Sequence, residues 1–338
     1  MTVPTAYRAS RNPELKALVG YFSRTLPVHM KATVYRSTGS WYDVKDEAGQ
    51  LWKARIKGVF KIEGLSSTNP IAVGDVVSME IENEDNHIAT IAGIHDRHNY
   101  ISRQSPSHRR QHHIVASNLD QVLLVATIKD PRTSNGFMDR FLVAAEAYHV
   151  PAILLINKQD AWKEKDKAKF EEWEDIYSQI GYQIMAVSVQ QGTGMDGLHA
   201  LLKNKTTLVS GHSGVGKSSL LNALIPGFTL RTKEVSGWSG KGMHTTTFAE
   251  MFDLPDGGRI IDTPGIREFG IVDIEREELS HYFPEMRAVL QECQFNNCLH
   301  VNEPGCAVKQ AVSDGSISPD RFASYLSIFD TIKENEWE

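Results

Sequence analysis

Two stretches decide the fold: "LLINKQD", residues 154–160, and "GHSGVGKSS", residues 211–219. Each contains or directly follows a run of apolar residues, a pattern that predicts a buried strand ending in a polar loop. The second stretch satisfies G-x-x-x-x-G-K-[ST] and continues into the helical segment "SSLLNAL". Strand, glycine-rich loop and helix in this order are the context of a phosphate-binding loop, and they disfavour the alternative of an ordinary glycine-rich turn.

The phosphate-binding loop gives each of its residues an expected role. Its glycines let backbone N–H groups point at phosphate oxygens, and the N-terminus of the following helix adds a partial positive charge. We expect Lys217 to reach the β- and γ-phosphates and Ser218 to ligate Mg²⁺. The predicted nucleotide contacts in this loop are Gly211, His212, Ser213, Gly214, Val215, Gly216, Lys217, Ser218 and Ser219.

The motif "NKQD" determines which base is bound. The Asp160 carboxylate accepts hydrogen bonds from N1–H and the exocyclic amine of guanine, whereas adenine would leave it unpaired, which disfavours an ATP-dependent kinase or ATPase. Lys158 is expected to pack along the base, Gln159 to lie beside it, and Asn157 to tie neighbouring loops together. Ser188, in "SVQQGTG" at the end of the next strand, is expected to belong to an auxiliary base-contacting loop.

Two further motifs are expected to complete the magnesium and γ-phosphate site. "DTPG" places Asp262 at a strand end, where its carboxylate reaches the metal through water, and Gly265, whose N–H senses the γ-phosphate. "HTTT", residues 244–247, offers Thr246 or Thr247 as the magnesium ligand, and the spacing does not decide between them. The same threonines also fit the start of a strand, "TTTFAEMF".

The group that positions the attacking water is less well defined. Many P-loop GTPases use a glutamine just after D-x-x-G, but this chain has Ile266 there, which cannot orient water. Intrinsic hydrolysis is therefore expected to be slow unless another group enters the site. His244 is the candidate catalytic residue, and an ordinary surface histidine is the alternative.

The order of the motifs indicates a circular permutation. An ordinary GTPase runs phosphate loop, switch threonine, D-x-x-G, N-K-x-D and serine loop, whereas this chain begins with N-K-x-D and the serine loop. The cyclic order is kept and no pair is exchanged, which accidental matches would not produce. Such a rotation is tolerated when the new termini lie in surface connections.

Apolar patterning predicts the domain organisation. Residues 119–270 alternate near-continuous apolar runs with helical segments, which predicts an α/β fold with a doubly wound parallel sheet, the circularly permuted P-loop GTPase domain. Residues 31–96 contain about five short alternating strands, typical of a small β-barrel of the OB-fold or SH3-like type. We expect residues 97–118 to form a polar, basic linker, residues 1–30 an N-terminal extension, and residues 271–338 a helical zinc-binding domain.

Composition favours a cytoplasmic protein. The 338 residues are 41% hydrophobic and 23% charged, with no apolar run near the roughly 20 residues that span a bilayer and no convincing signal peptide. We therefore expect no membrane partner and, by default, a monomer. The net charge of −6 is uneven, because residues 97–119 carry four arginines and no acid, whereas residues 271–338 have a net charge of −8. Local basic patches permit nucleic-acid binding despite an acidic total.

The three cysteines of the chain point to a metal. They form the pattern C-x4-C-x-H-x5-C with Cys293, Cys298, His300 and Cys306. Three thiolates and an imidazole are a complete tetrahedral Zn²⁺ shell, so the predicted site is structural rather than catalytic. Three unrelated buried cysteines are the alternative.

Together these residues resemble the RsgA family (also called YjeQ or YloQ) of GTPases that depend on the small ribosomal subunit. The resemblance covers nearly the whole chain and rests on "NKQD", "GHSGVGKSSL", "GMHTTT", "DTPGIREFG" and the Cys-His pattern. It implies an OB-fold front domain, a zinc-bound helical C-terminal domain, and GTP hydrolysis to GDP stimulated by the 30S subunit during late 30S maturation. The chain departs from the family at His212, where glutamine is common, and at Met243, where arginine is frequent.

Three hypotheses of function follow. In the first, a ribosome-assembly GTPase contacts 16S rRNA phosphates through residues 97–113 together with Lys53, Arg55 and Lys57; a merely solvated barrel face is the alternative for those three side chains. In the second, a nucleotide-gated binding module serves another assembly and hydrolysis is incidental. The third is the ATP-dependent enzyme that Asp160 disfavours.

Overall fold

The computed structural model describes residues 29–56, 70–104, 112–225, 227, 249–263 and 274–332. Its first unit is a five-stranded barrel whose strands are β1 (Met30–Ser37), β2 (Tyr42–Asp46), β3 (Leu51–Ile56), β4 (Val76–Asn83) and β5 (Ile88–Ile94). The strand order is β1-β2-β3-β5-β4, and β4 pairs back with β1 to close the barrel. Among the pairs formed by these described strands, only β3–β5 is parallel. This closed order confirms the predicted OB-fold and excludes the SH3-like alternative.

Alternation along the strands creates the core of the barrel. In β3 the side chains of Trp52 and Ala54 are buried, whereas those of Leu51, Lys53 and Arg55 face outward. The period of two places successive residues on opposite faces of the sheet, so one face of each strand fills the barrel. The buried set includes Val34, Tyr42, Val44, Val77, Met79 and Ile91.

A hairpin connects the barrel to the rest of the chain. It consists of β6 (Tyr100–Gln104) and β7 (His112–Ser117), which pair antiparallel. The prediction of a polar linker over residues 97–118 is therefore wrong in the described part of that segment. The average polarity of this segment concealed short apolar runs on either side of a basic centre. Ile101, Val115 and Ala116 are buried in the same apolar cluster as residues of the GTPase sheet described below.

Buried polar contacts hold the barrel against this hairpin. Both oxygens of the Asp75 carboxylate accept hydrogen bonds from the Arg97 guanidinium at 2.6 Å, and the Ser117 hydroxyl donates to it at 2.5 Å. The Ser117 N–H also donates to the Val73 carbonyl at 2.9 Å. Since Asp75 is completely buried, its charge requires this pairing with Arg97.

In its described residues the GTPase unit has a six-stranded sheet in the order β10-β9-β8-β11-β13-β12. Its strands are β8 (Gln121–Ala126), β9 (Ala152–Ile156), β10 (Gln183–Ala186), β11 (Thr206–Ser210), β12 (Glu250–Asp253) and β13 (Arg259–Asp262). All neighbours are parallel except β12 and β13. Every residue of β8 is buried, as expected of a central strand covered on both faces.

Helices cover both faces of this sheet, which confirms the predicted doubly wound fold. On one face lie α1 (Asn135–Ala147) and α2 (Glu164–Gln179), and on the other lie α3 (Met195–Leu202) and α4 (Lys217–Leu224). The Ser134 hydroxyl caps the start of α1 by accepting from the Phe137 N–H. Because serine at this position satisfies an otherwise unpaired amide, it fixes where α1 begins.

The barrel and the GTPase sheet are joined edge to edge. Strand β1 pairs antiparallel with β12 at Arg36 and Glu250, which makes one sheet of eleven strands. The Tyr35 hydroxyl donates to the Asp253 carboxylate at 2.6 Å, and the Lys45 ammonium also bonds to that carboxylate. The barrel therefore extends from the edge strand of the GTPase sheet.

The C-terminal unit is helical, as predicted. It contains two short 3₁₀ turns, Leu279–Tyr282 and Leu290–Glu292, and the helices α5 (Pro284–Arg287), α6 (Ala307–Ser313) and α7 (Pro319–Thr331). Its apolar core includes Phe283, Met286, Val308, Tyr325 and Ile328, and also Val143 from α1. Helix α1 thus packs on the GTPase sheet and on the C-terminal unit at once.

Among the described helices, none combines the length and apolar character that a bilayer span requires.

Candidate functional site

The phosphate-binding loop lies between β11 and α4. Gly211 and Gly216 adopt positive φ angles of 142° and 98°. A Cβ at Gly211 would lie 2.3 Å from the Val125 carbonyl oxygen, and one at Gly216 would lie 2.4 Å from Nδ2 of Asn157. Because both clashes involve closely packed neighbours, these two positions require glycine for space as well as for backbone angle.

Lys217 begins α4 and folds over the loop that precedes it. Its ammonium donates to the carbonyls of Gly211 and His212, the latter at 2.9 Å. Burial lowers the pKa of Lys217, and the nearby Asp262 carboxylate opposes this shift. The cation therefore sits at the centre of the loop, where a phosphate group would neutralise it.

Asp262 ends β13, the strand beside β11. It is paired in register with Val209, one residue before the end of β11. Burial raises the pKa of Asp262, while Lys217 and the Thr263 backbone N–H lower it. A half-buried carboxylate at this edge suits a ligand that carries positive charge. Ser218 lies in the first turn of α4 and is partly exposed.

Asn157 follows β9 and joins two loops. Its Nδ2 donates to the Val215 carbonyl at 2.9 Å, and its Oδ1 accepts from the Val189 N–H at 3.4 Å. Lys158 adopts a left-handed conformation, and its ammonium donates to the Gly214 carbonyl at 2.8 Å. The motif at residues 157–160 is therefore held directly against the phosphate-binding loop.

Ser188 orients the carboxylate of Asp160. It is fully buried, and its hydroxyl donates to Oδ1 of Asp160 at 2.5 Å while accepting from the Gln191 N–H at 3.1 Å. The Gln159 N–H donates to the Val187 carbonyl at 3.0 Å. These bonds fix the loop, and Asp160 itself remains exposed.

The structure thus brings the predicted base-binding and phosphate-binding residues to one edge of the sheet. These residues lie together because each motif follows a parallel strand, and the carboxyl ends of parallel strands meet at one edge of a sheet. Several predicted residues lie outside the described part of the chain: His244, Thr246, Thr247, Gly265 and Ile266.

One element of this site is absent from the sequence predictions. The loop after β8, residues 127–134, lies against the phosphate-binding loop: the Lys158 ammonium donates to the Asp130 carbonyl, and a Cβ on Gly214 would come within 3.3 Å of Pro131. The signal available in the sequence is that "TIKDPRTS" follows a buried parallel strand. Because β8 is parallel to its neighbours, a loop that follows it is expected at the same edge of the sheet as the phosphate-binding loop.

A Cys-His cluster lies in the C-terminal unit. The ligand atoms of Cys293, Cys298, His300 and Cys306 all lie within 4.8 Å of one another. Nδ1 of His300 faces the sulfurs of Cys293 and Cys306 at 3.7 and 3.4 Å. Three sulfurs and one nitrogen converging on one point fit a metal that prefers tetrahedral S and N ligands.

The loop between these ligands is shaped by Glu303. Its carboxylate accepts from the backbone N–H groups of Leu299, Val301 and Asn302 at 2.9 to 3.0 Å. Burial alone would raise the pKa of Glu303, but these amides outweigh it and hold the pKa below its ordinary value. The Tyr325 hydroxyl adds a bond to the Leu299 carbonyl at 2.7 Å, which fixes the loop to α7.

Two of the predicted RNA-contacting side chains on the barrel are ion-paired. Lys53 lies 2.6 Å from the Asp43 carboxylate and Arg55 lies 3.1 Å from that of Glu82, both at the surface. The Arg55 guanidinium also lies over the ring of Trp41. Lys57 and residues 105–111 lie outside the described part of the chain.

Family models match two parts of the chain. The RsgA N-terminal domain matches residues 31–89, and the RsgA GTPase domain matches residues 94–272. Both matches agree with the barrel and with the hairpin and GTPase unit in the structure.

Curated relatives and solved structures match nearly the whole chain. A "Small ribosomal subunit biogenesis GTPase RsgA" from Bacteroides fragilis is 49% identical over 91% of this chain and 99% of its own length. The protein of the same name from Flavobacterium psychrophilum is 52% identical over 89% of this chain and 93% of its own.

Two crystal structures share the fold. YjeQ from Thermotoga maritima has a TM-score of 0.74 at 36% identity and covers 90% of this chain and 98% of its own. The structure of YloQ, described as a circularly permuted GTPase, has a TM-score of 0.70 at 30% identity over 91% and 97% of the two chains. The chain therefore belongs to the RsgA family and is a circularly permuted P-loop GTPase that hydrolyses GTP.

Proposed function

We propose that this GTPase acts in late maturation of the small ribosomal subunit, binding 16S rRNA and hydrolysing GTP to GDP when the 30S subunit stimulates it. The observation that carries this proposal is the full-length match to relatives named for small ribosomal subunit biogenesis. That match spans 308 of the 338 residues, far more than the GTPase unit contains. The proposal therefore concerns the whole chain and not the GTPase unit alone.

GTP binds across the sheet edge in this proposal. Asp160 reads the base, Lys217 lies against the β- and γ-phosphates, and the Gly265 N–H contacts the γ-phosphate. The contacts of Asn157 and Lys158 with the phosphate-binding loop support one continuous site. The proposed GTP contacts are Asn157, Lys158, Gln159, Asp160, Ser188, Gly211, His212, Ser213, Gly214, Val215, Gly216, Lys217, Ser218, Ser219 and Gly265.

Ser218 and Asp262 are proposed to hold Mg²⁺, together with Thr246 or Thr247 as a further ligand. When bound, it would neutralise charge on the phosphate oxygens. Asp262 would contribute a carboxylate at the end of β13, and Lys217 would supply a second positive charge to the phosphates. His244 is the proposed catalytic residue that orients the attacking water, since Ile266 lacks the polar atoms to do so.

Zn²⁺ is the proposed occupant of the Cys-His cluster. With Cys293, Cys298, His300 and Cys306 as ligands, the tetrahedral shell is complete and leaves no position for substrate, so the role is structural. The cluster would then hold together short helices that form a small core.

The barrel and the basic hairpin are proposed to face rRNA. Surface ion pairs such as Lys53–Asp43 contribute little net free energy. Lys53 and Arg55 can therefore exchange their carboxylate partners for RNA phosphates at small cost. We further propose a cytoplasmic monomer, in agreement with a ribosomal partner.

GTP turnover with purified ribosomal subunits tests this function. We expect at least a tenfold increase in GTP turnover on adding 30S subunits, none on adding 50S subunits, and none in the Lys217→Ala variant. Absence of stimulation in the wild-type protein would refute the 30S role while leaving the GTPase assignment intact. In the same assay His244→Ala should lower the stimulated rate, and an equal rate would remove His244 from the mechanism.

Sedimentation with 30S subunits separates this proposal from a nucleotide-gated module that serves another assembly. We expect co-sedimentation with a non-hydrolysable GTP analogue and release with GDP. Failure to bind 30S subunits in either nucleotide state would favour the other module.

A further inference from the structure

His212 directly follows the first glycine of the phosphate-binding loop, and Nδ1 of its imidazole faces the Ser213 carbonyl of that loop at 3.3 Å. Nε2 of His212 lies 2.7 Å from Oγ1 of Thr133, a residue of the loop after β8. The imidazole also meets the ring of Phe137 edge-on, with centroids 5.3 Å apart and planes at 88°. Thus a side chain of the phosphate-binding loop contacts both the loop after β8 and the first turn of α1.

Thr133 is rigidly held. Its side chain is nearly fully buried, its Oγ1 accepts from the Thr127 N–H at 3.0 Å, and its own N–H donates to the Thr127 carbonyl at 2.9 Å. Thr127 directly follows β8 at the centre of the sheet. One lone pair and the hydroxyl proton of Thr133 remain for the imidazole. Because the Ser213 carbonyl near Nδ1 of His212 can only accept, the contacts favour the tautomer in which Nε2 accepts the Thr133 hydroxyl proton.

The loop that carries Thr133 is fixed at further points. The Thr127 hydroxyl donates to the Pro131 carbonyl at 2.5 Å, and the Asp130 carbonyl accepts from the Lys158 ammonium. These hydrogen bonds hold residues 127–134 in one conformation beside the phosphate-binding loop.

The residue directly after this loop, Asn135, is bonded to the C-terminal unit. The Asn135 side chain donates to the Asp320 carboxylate at 2.6 Å and accepts from the Trp173 indole N–H at 2.7 Å. Thr133 lies two residues before Asn135, so it is anchored between the sheet and the C-terminal unit.

We propose that His212 and Thr133 form a positioning pair that holds the phosphate-binding loop in its nucleotide-binding shape. Neither side chain is required to touch GTP. The pair acts because a loop that is already ordered loses less conformational entropy when phosphates bind to it. The inference rests on the proposed phosphate contacts of residues 211–219 and assigns a role to the His212 side chain beyond its backbone contact.

Two substitutions at position 212 test the pair. Leucine removes the hydrogen bond but keeps an apolar group against Phe137, whereas glutamine offers an amide of similar reach to Thr133. We expect His212→Leu to weaken GDP and GTP binding about fivefold, the effect of one hydrogen bond, with a larger change in KM than in kcat. His212→Gln should restore most of the affinity, and stopped-flow release of a fluorescent GDP analogue measures both variants.

The outcomes discriminate between roles. Wild-type affinity in His212→Leu would overturn the proposal. Equal weakening in the leucine and glutamine variants would also overturn it, because the hydrogen bond to Thr133 would then not explain the loss. Failure of the wild-type protein itself to bind GTP would instead refute the proposed phosphate site.

A second pair of variants, Thr133→Val and Thr133→Ser, tests the other side of the bond. Valine keeps the shape and removes the hydroxyl, so we expect it to weaken nucleotide binding at least as much as His212→Leu, and serine to restore binding. Because valine also leaves the Thr127 N–H without its acceptor, urea unfolding must show that the variant is folded before its affinity is compared. A folded valine variant with wild-type affinity would contradict the pair.

Discussion

Asn157 donates its side-chain amide to the Val215 carbonyl over 2.9 Å, although 58 residues separate them in the chain. This bond joins the base-binding motif to a phosphate-binding loop that comes after it in sequence. In space they follow β9 and β11, two parallel strands that flank β8, so both lie at the same edge of the sheet. The permutation therefore changes the order in which the chain builds the site, and leaves the site continuous.

Gly216→Ala should disrupt this junction. A Cβ there would lie 2.4 Å from Nδ2 of Asn157, and alanine disfavours the φ of 98°. We expect GTP affinity to fall at least about tenfold, because the loop or Asn157 must shift away from its bonded position. Gly181→Ala is the matched control: its φ is 95°, but a Cβ meets nothing within 4 Å. Equal affinity of both variants, measured by equilibrium titration, would contradict the steric account.

Arg321→Leu should strongly destabilise the chain. The guanidinium lies 2.7 Å from the carboxylates of both Asp139 and Glu285, and it is almost fully buried. Removing it leaves Asp139 uncompensated between α1 and α7, at a cost of about 3–5 kcal/mol in the free energy of unfolding. Urea unfolding measures this cost.

Arg287→Leu is the matched control for Arg321→Leu. Its ion pair with Glu146 is half-exposed, so the loss should be at most about 1 kcal/mol. Similar losses of unfolding free energy in the two variants would refute a special role for the buried ion pairs of Arg321 with Asp139 and Glu285.

Metal removal should unfold the C-terminal unit first. The purified chain is expected to contain one zinc per molecule, and Cys298→Ser or a strong chelator should remove it and lower the melting temperature. The reason is that the cluster includes Cys306, which caps the start of α6 and belongs to the apolar core of that unit. Elemental analysis with calorimetry checks this; a metal-free chain with unchanged unfolding would contradict it.

The junction between the barrel and the GTPase sheet, where Asp253 bonds to Tyr35 and Lys45, should contribute less to the free energy of unfolding at low pH. Burial alone would raise the pKa of Asp253, but hydrogen bonds from Lys45 and Tyr35 outweigh it and hold the pKa below its ordinary value. A lowered pKa in the folded state stabilises the fold above the unfolded pKa, and this contribution disappears as pH falls through the folded pKa.

Asp253→Asn removes this pH-dependent contribution. Between pH 5 and pH 3 the wild type should therefore lose up to about 1 kcal/mol more unfolding free energy than Asp253→Asn, a small value because the group is partly exposed. Parallel denaturant titrations at each pH give the difference, and identical pH profiles would exclude Asp253 as a contributor.

Sequence patterns predicted the strands of the barrel and of the GTPase sheet, because their residues alternate or are continuously apolar. They also predicted the Cys-His cluster, since four potential ligands of one metal lie within 14 residues. Residues 97–118 were mistaken for a linker because the basic centre dominates their composition, whereas the flanking apolar residues, such as Ile101 and Val115, determine the pairing.

Other features depend on long-range packing that no local pattern reveals. Thr133 meets His212 across 79 residues, and Arg321 meets Asp139 across 182. A threonine in a turn and an arginine on a helix are unremarkable in sequence. Their roles become visible only when α1 is placed between the GTPase sheet and the C-terminal unit.

The nucleotide preference of Asp160→Asn tests the central claim, that residues 157–160 and 211–219 form one guanine site. In the wild type GTP should displace a fluorescent GDP analogue far more effectively than ATP or xanthosine triphosphate. Asparagine replaces the carboxylate that accepts from two guanine donors, so GTP affinity should fall about a hundredfold or more. Its amide N–H instead suits the second carbonyl of xanthine, so xanthosine triphosphate should become the preferred ligand. Unchanged GTP affinity in this variant would contradict the assignment.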